Sequence, residues 1–191
     1  MFDKFLNHLK SKKFLFISLL IIFFVQIWLV SQLKYLPGPL YGGDVYRERG
    51  FTENIAQGYP FYEDPQIKGE VAFRPQFPYI FVAALSYVGL GTIDNIMIYL
   101  MVFVVVLSSY GIYLLARQIS KNEFASLSAT FFYYGSLISY TSSGKHTLSL
   151  AFLFTIFFLY FLFKSFETDK LRDKIIGLLN TMVMLVLLQA L

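Results

Sequence analysis

Cysteine is absent from this chain of 191 residues. That excludes disulfides, thiolate nucleophiles, iron–sulfur clusters and cysteine-ligated zinc. Histidine occurs only at His8 and His146, one ahead of the first apolar run and one far along the chain, so a histidine metal cluster is excluded as well. Charge is scarce: Asp, Glu, Lys and Arg make up 15% of the residues against 57% hydrophobic ones, too little polar surface to cover a soluble domain of this length. The net charge of +4 does not point to nucleic acid. The basic residues sit in short clusters between apolar runs, a pattern that signals membrane topology instead. Internal repeats and low-complexity tracts are missing too. A phosphate loop is excluded: around Gly144-Lys145, Ser139 stands where the motif's first glycine belongs and His146 where Ser or Thr belongs.

What the chain does have is long apolar runs. From Phe14 to Leu33 about 20 residues at 1.5 Å each match a hydrocarbon core of roughly 30 Å. Lys4, Lys10, Lys12 and Lys13 lead into it, but the run is longer than a signal-peptide core and lacks an A-x-A-like cleavage site. It reads as an uncleaved signal anchor, with residues 1–13 cytoplasmic and the following loop outside. Further runs cover Phe77 to Ile93, Ile96 to Ala116, Phe124 to Tyr140, Thr147 to Phe163 and Ile175 to Leu191.

Charge decides between two topologies. If the run from Phe77 crosses the bilayer, Arg117, Lys121, Lys164, Lys170, Arg172 and Lys174 fall outside, against the positive-inside rule. If it lies in or dips into the outer leaflet, all of these become cytoplasmic. Pro75 and Pro78 at its start and Gly89-Leu90-Gly91 at its end mark a short helix, so the second arrangement is expected. The fold class is therefore all-α: a multi-pass protein of the plasma membrane, with a transmembrane module over 14–191 and an exoplasmic loop over about 34–95. The last run reaches Leu191 without a polar flank, so a longer natural chain is expected.

Within the loop, Asp44 to Gln57 reads as a helix. Gly43-Asp44 supplies an N-cap, Gly58 a stop, and Tyr59-Pro60 cannot continue it. Arg47, Phe51 and Ile55 fall four apart, which predicts an apolar edge toward the membrane and a charged edge toward water. Phe61-Tyr62-Glu63-Asp64-Pro65 is a turn, and Phe73-Arg74-Pro75-Gln76-Phe77-Pro78 leads back to the bilayer. Two interfacial helices joined by turns are expected.

Three stretches together resemble a known family: Gly43-Asp44-Val45-Tyr46, Ile55-Ala56-Gln57-Gly58-Tyr59-Pro60-Phe61-Tyr62 and Arg74-Pro75-Gln76-Phe77-Pro78-Tyr79. With Leu114-Leu115-Ala116-Arg117 and Phe124-Ala125-Ser126-Leu127-Ser128-Ala129 they run in the order seen in the N-terminal module of the GT-C superfamily of membrane glycosyltransferases. That superfamily includes the oligosaccharyltransferase catalytic subunit and the protein O-mannosyltransferases. The resemblance extends over about residues 14–163. It implies a large first exoplasmic loop with an acidic residue just past the membrane, juxtamembrane helices, and transfer from a polyprenyl-phosphate-linked sugar. The adjacent Asp-Glu pair of the mannosyltransferases is not matched, since Val45 follows Asp44 and the next acid is Glu48.

The chemistry so implied needs a carboxylate for the acceptor and cations for the departing phosphate. Asp44 and Glu48 are the candidate catalytic acids, and Arg47, Arg49, Arg74, Lys145 and His146 the candidate phosphate ligands. Each has a plainer alternative. Asp44 suits a helix N-cap; Arg47, Glu48 and Arg49 a solvated helix face; Arg74 a snorkelling anchor; Lys145 and His146 helix-end cations. A divalent metal is the one cofactor the resemblance leaves open. The family's second acidic motif is replaced by Ser142-Ser143-Gly144-Lys145-His146, so the metal lacks support. Apart from the lipid bilayer and the lipid-linked sugar no partner is implied, and the acceptor is open. A second class of function is a non-catalytic multispanning protein, such as an assembly partner or a lipid-binding or transport subunit. Transport is disfavoured by spans with almost no ionisable residue.

Overall fold

The computed structural model describes residues 2–32, 44–64, 67, 69–71, 76–136 and 146–189. Among them the chain is all-helical: α1 (Phe2–Ser31), α2 (Asp44–Ala56), α3 (Phe77–Tyr87), α4 (Ile93–Ser120), α5 (Glu123–Tyr134), α6 (His146–Glu167) and α7 (Leu171–Gln189). A single isolated bridge between Glu63 and Val71 is the one β-type pairing among the described residues. Three helical stretches are long and apolar enough to cross a membrane: Lys12–Ser31, Ile93–Ser120 and Ser149–Glu167.

Helix α3 is much shorter than the apolar run that contains it. Its 11 residues span about 16 Å at 1.5 Å each, half of what a bilayer requires. The break has a local cause: Gly89 and Gly91 take positive φ values of 81° and 149°, conformations costly for residues with a Cβ. Thr92 then caps α4, its hydroxyl accepting from the Asn95 N–H at 3.3 Å. The rest of the run is thus turn and cap. Helix α4, with 28 residues, measures about 42 Å.

The other helices are arranged around α4. Phe23 of α1 lies 6.1 Å from Phe103 of α4, ring centre to ring centre. Met101 and Val104 of α4 pack with Leu150 and Leu153 early in α6, while Gln118 and Lys121, at the other end of α4, bind the carboxylate of Glu167 at the end of α6. Helices α4 and α6 therefore run in the same direction. Helix α5 runs back between their ends, joined to α4 by the tight Lys121-Asn122 link in which Asn122 accepts from the Ala125 N–H at 3.2 Å. Helix α7 folds back along α6, so that Gly177 meets Ser165 and Leu188 returns to the cluster around Met101 and Leu150.

Small residues set the closest approaches. A Cβ placed on Gly111 of α4 would stand 2.8 Å from Cγ2 of Ile156, and one on Gly177 would stand 2.9 Å from Cβ of Ser165. Where lipid tails are as apolar as the side chains, such close backbone contact is what favours helix on helix over helix on lipid. The alternation of direction collects Arg117, Lys121, Lys164, Lys170, Arg172 and Lys174 at one end of the bundle. We call this the basic end. The opposite end, where α4 starts, carries α2 and α3 and is the loop end.

Candidate functional site

Helix α2 occupies the loop end. It ends at Ala56 because Gly58 adopts a φ of +84°, and the Tyr59 N–H donates to the Asn54 carbonyl at 3.0 Å, closing the last turn. The buried face holds Val45, Glu48, Phe51 and Thr52. Val45 packs with Val82 of α3 and Ile96 and Met97 of α4. Phe51 stacks on Tyr79 of α3, ring centres 5.1 Å apart and planes 13° apart. This corrects the expected apolar edge toward the membrane: Phe51 is spent on a neighbouring helix.

Glu48 is 3% exposed, so it belongs to the packed face rather than to a solvated one. The equally buried Thr52 hydroxyl donates to the Glu48 backbone carbonyl at 2.9 Å, which satisfies that hydroxyl against the cost of its burial. Arg49 points the other way. Its Nε donates to the Asp94 carboxylate at 2.6 Å and an Nη lies 2.9 Å from Glu53. The hydrogen bond to Asp94 holds the Arg49 guanidinium above its ordinary pKa, outweighing the opposing effect of burial. Arg47 is half-buried and has no ion pair among the described residues.

Arg47, Glu48 and Arg49 thus share one helix but not one face: Glu48 is packed inside, while Arg49 engages Asp94 and Glu53. Asp44 opens α2 through its backbone, and its side chain lies outside the described residues. The same holds for His146, which opens α6, while Arg74 and Lys145 lie outside the described residues altogether. Asp94 is the participant that sequence reasoning missed. Its signal was the helix start at Thr92-Ile93-Asp94-Asn95, an acid in a first turn; nothing local named Arg49 as its partner.

A second polar group closes the basic end. Arg117 and the Tyr113 hydroxyl, the latter at 2.7 Å, both engage Glu123 across the α4–α5 link. Gln118 donates to Glu167 at 2.6 Å and Lys121 pairs with the same carboxylate. Lys164 lies 5.5 Å from the Tyr160 ring centre, a cation–π distance. Groups of three or more Asp, Glu or His side chains able to hold a metal ion are absent among the described residues.

The arrangement defines an all-helical protein with three helices of membrane-crossing length and a compact helical loop at one end. No known protein family matches the chain. No solved structure matches it either. An uncharacterized protein of the archaeon Methanocaldococcus jannaschii is 29% identical over 105 residues, which cover 54% of this chain and 77% of that relative.

Proposed function

We propose that this chain is a polytopic membrane protein of the plasma membrane, with its N-terminus and basic end in the cytoplasm, that transfers a sugar from a polyprenyl-phosphate-linked donor at the outer face. The observation that carries the reading is the position of α2. This charged helix follows the first membrane-length helix in sequence and packs at the start of the second through Val45, Ile96 and Met97. In this reading the charged residues of α2 meet the headgroup region, where a lipid-linked phosphate resides.

In the proposed reaction the acceptor nucleophile bonds to C1 of the sugar as the C1–oxygen bond to the phosphate breaks. The acceptor's proton passes to Asp44, and the polyprenyl phosphate leaves with the bonding electron pair. Arg47 contacts that phosphate. Arg49, already shared by Asp94 and Glu53, positions the helix, and Glu48, buried on the packed face, takes no part in the transfer.

The competing reading is a non-catalytic membrane subunit. The engagement of Arg49 and the burial of Glu48 favour it, since both then serve α2 packing. Membranes carrying the protein, supplied with radiolabelled polyprenyl-phosphate monosaccharides, should transfer label. Asp44→Asn should lower transfer by about 10²-fold to 10⁴-fold at unchanged thermal stability, since Asn caps a helix as well as Asp. Normal transfer by Asp44→Asn removes Asp44 from the reaction, and no transfer above empty membranes leaves the subunit reading.

A further inference from the structure

Between α2 and α3 the chain forms a small hairpin-like turn. The Asp64 N–H donates to the Glu70 carbonyl at 2.9 Å, Glu63 and Val71 form the isolated bridge, and the Gly69 N–H donates to the Glu63 carboxylate at 2.8 Å. Backbone groups of Asp64, Gly69 and Glu70 are thereby satisfied inside the turn, and large side chains of its described residues are exposed. Phe61, Tyr62, Ile67 and Val71 are 54%, 59%, 53% and 65% exposed. Turns that face water ordinarily carry Gly, Asn, Asp and Ser at such positions, and four exposed large apolar side chains within one turn call for something to cover them.

Its tethers bound its distance from α4. The turn follows α2, whose Val45 packs against Ile96 and Met97, and returns to α3, whose Phe77 packs beside Leu100 and Met101. Those residues begin the apolar stretch of α4. Five residues separate Val71 from Phe77, a reach of at most about 20 Å, so the turn lies within that distance of a residue packed on the apolar stretch of α4. Two aromatic rings in edge contact, two exposed aliphatic side chains and the Glu63, Asp64 and Glu70 carboxylates within one turn match the headgroup boundary. There rings and methyl groups sit in the acyl edge and charges stay in water.

We propose that the 61–71 turn is a membrane anchor. It inserts Phe61, Tyr62, Ile67 and Val71 into the headgroup and upper acyl region of the adjacent leaflet and sets the height at which α2 is carried. The proposal rests on the membrane reading of α1, α4 and α6, and not on glycosyl transfer.

Because cysteine is absent, a single introduced cysteine carries a unique spin label. Labels at Ile67 and Val71, with Phe24 of α1 as a lipid reference and Lys170 as a water reference, are compared in phosphatidylcholine liposomes. The readout is the ratio of collisions with oxygen to collisions with a water-soluble nickel chelate. The ratios at Ile67 and Val71 should fall well above that at Lys170 and approach that at Phe24. A water-like ratio at Ile67 and Val71 with a lipid-like ratio at Phe24 overturns the anchor alone. A water-like ratio at Phe24 overturns the membrane reading and the anchor together. Shielding of Ile67 and Val71 from both reagents shows a protein cover, which also overturns the anchor.

Discussion

Arg49 of α2 and Asp94 in the first turn of α4 form a hydrogen-bonded ion pair of 2.6 Å between residues 45 positions apart in the sequence. It ties the loop helix to α4 by charge, while Val45 packs against α3 and α4 and Phe51 stacks on α3.

Both members of that pair are more than a third exposed, at 37% and 44% of their side chains, so water screens them. Arg49→Ala or Asp94→Ala should lower stability by only about 0.2–1 kcal/mol, measured as thermal unfolding in detergent. The loss should shrink in roughly 1 M salt, where the screening length falls to about 3 Å. A loss that persists undiminished in high salt would assign the effect to packing.

Phe51 is 3% exposed and stacked on Tyr79, so its removal acts on the core rather than on the surface. Phe51→Ala should cost about 3–5 kcal/mol and release α2, exposing Arg47 and Arg49 to limited trypsin cleavage. Equal trypsin resistance in the variant and the parent would mean that the ion pair and Val45 suffice to hold the helix.

Gly111 is predicted to resist replacement. In a helix interior Gly→Ala normally gains about 1 kcal/mol, but here the new Cβ would stand 2.8 Å from Cγ2 of Ile156, a side chain stiff at χ1. Overpacking of this kind costs about 1–3 kcal/mol, so Gly111→Ala should destabilise. In an Ile156→Ala background the same change should become neutral or favourable. A stabilising Gly111→Ala in the parent chain would show that α4 and α6 separate at no cost.

The direction of the helices gives a prediction about sidedness. Single cysteines at Lys121 and Lys170, both at the basic end, should react with an impermeant maleimide from the same side. A cysteine at Gln57 should react from the other. Labelling of Gln57 and Lys170 from one side in intact cells would break the arrangement.

Local signals carried the helices well. Asp44 to Gln57 was expected and Asp44–Ala56 is observed, because Gly58 and Pro60 punctuate the chain through backbone sterics alone. The short helix at Phe77 was legible in its flanking Pro and Gly residues, although the apolar run overstated its length: hydrophobicity does not distinguish a helix from the turn that follows it. Burial of Glu48 was not legible, because spacing assigns charged residues to water and only the arrival of α3 and α4 covers this one. The Arg49–Asp94 pair was beyond reach for a related reason, since residues 45 positions apart meet through tertiary packing that no local pattern encodes.

Helix α4 touches α1 through Phe103, α2 through Asp94 and Met97, α3 through Ile96, α5 through Tyr113 and Arg117, and α6 through Gly111 and Met101. A rod gripped on so many sides cannot tilt without displacing every neighbour at once, so it serves as the fixed axle of the molecule. Helix α7 is different: it lies along α6 at Gly177 and Ser165 and leaves Leu179, Met182 and Val186 uncovered. A substitution that displaces α4 is therefore passed on to five helices, whereas one on the uncovered face of α7 stays local.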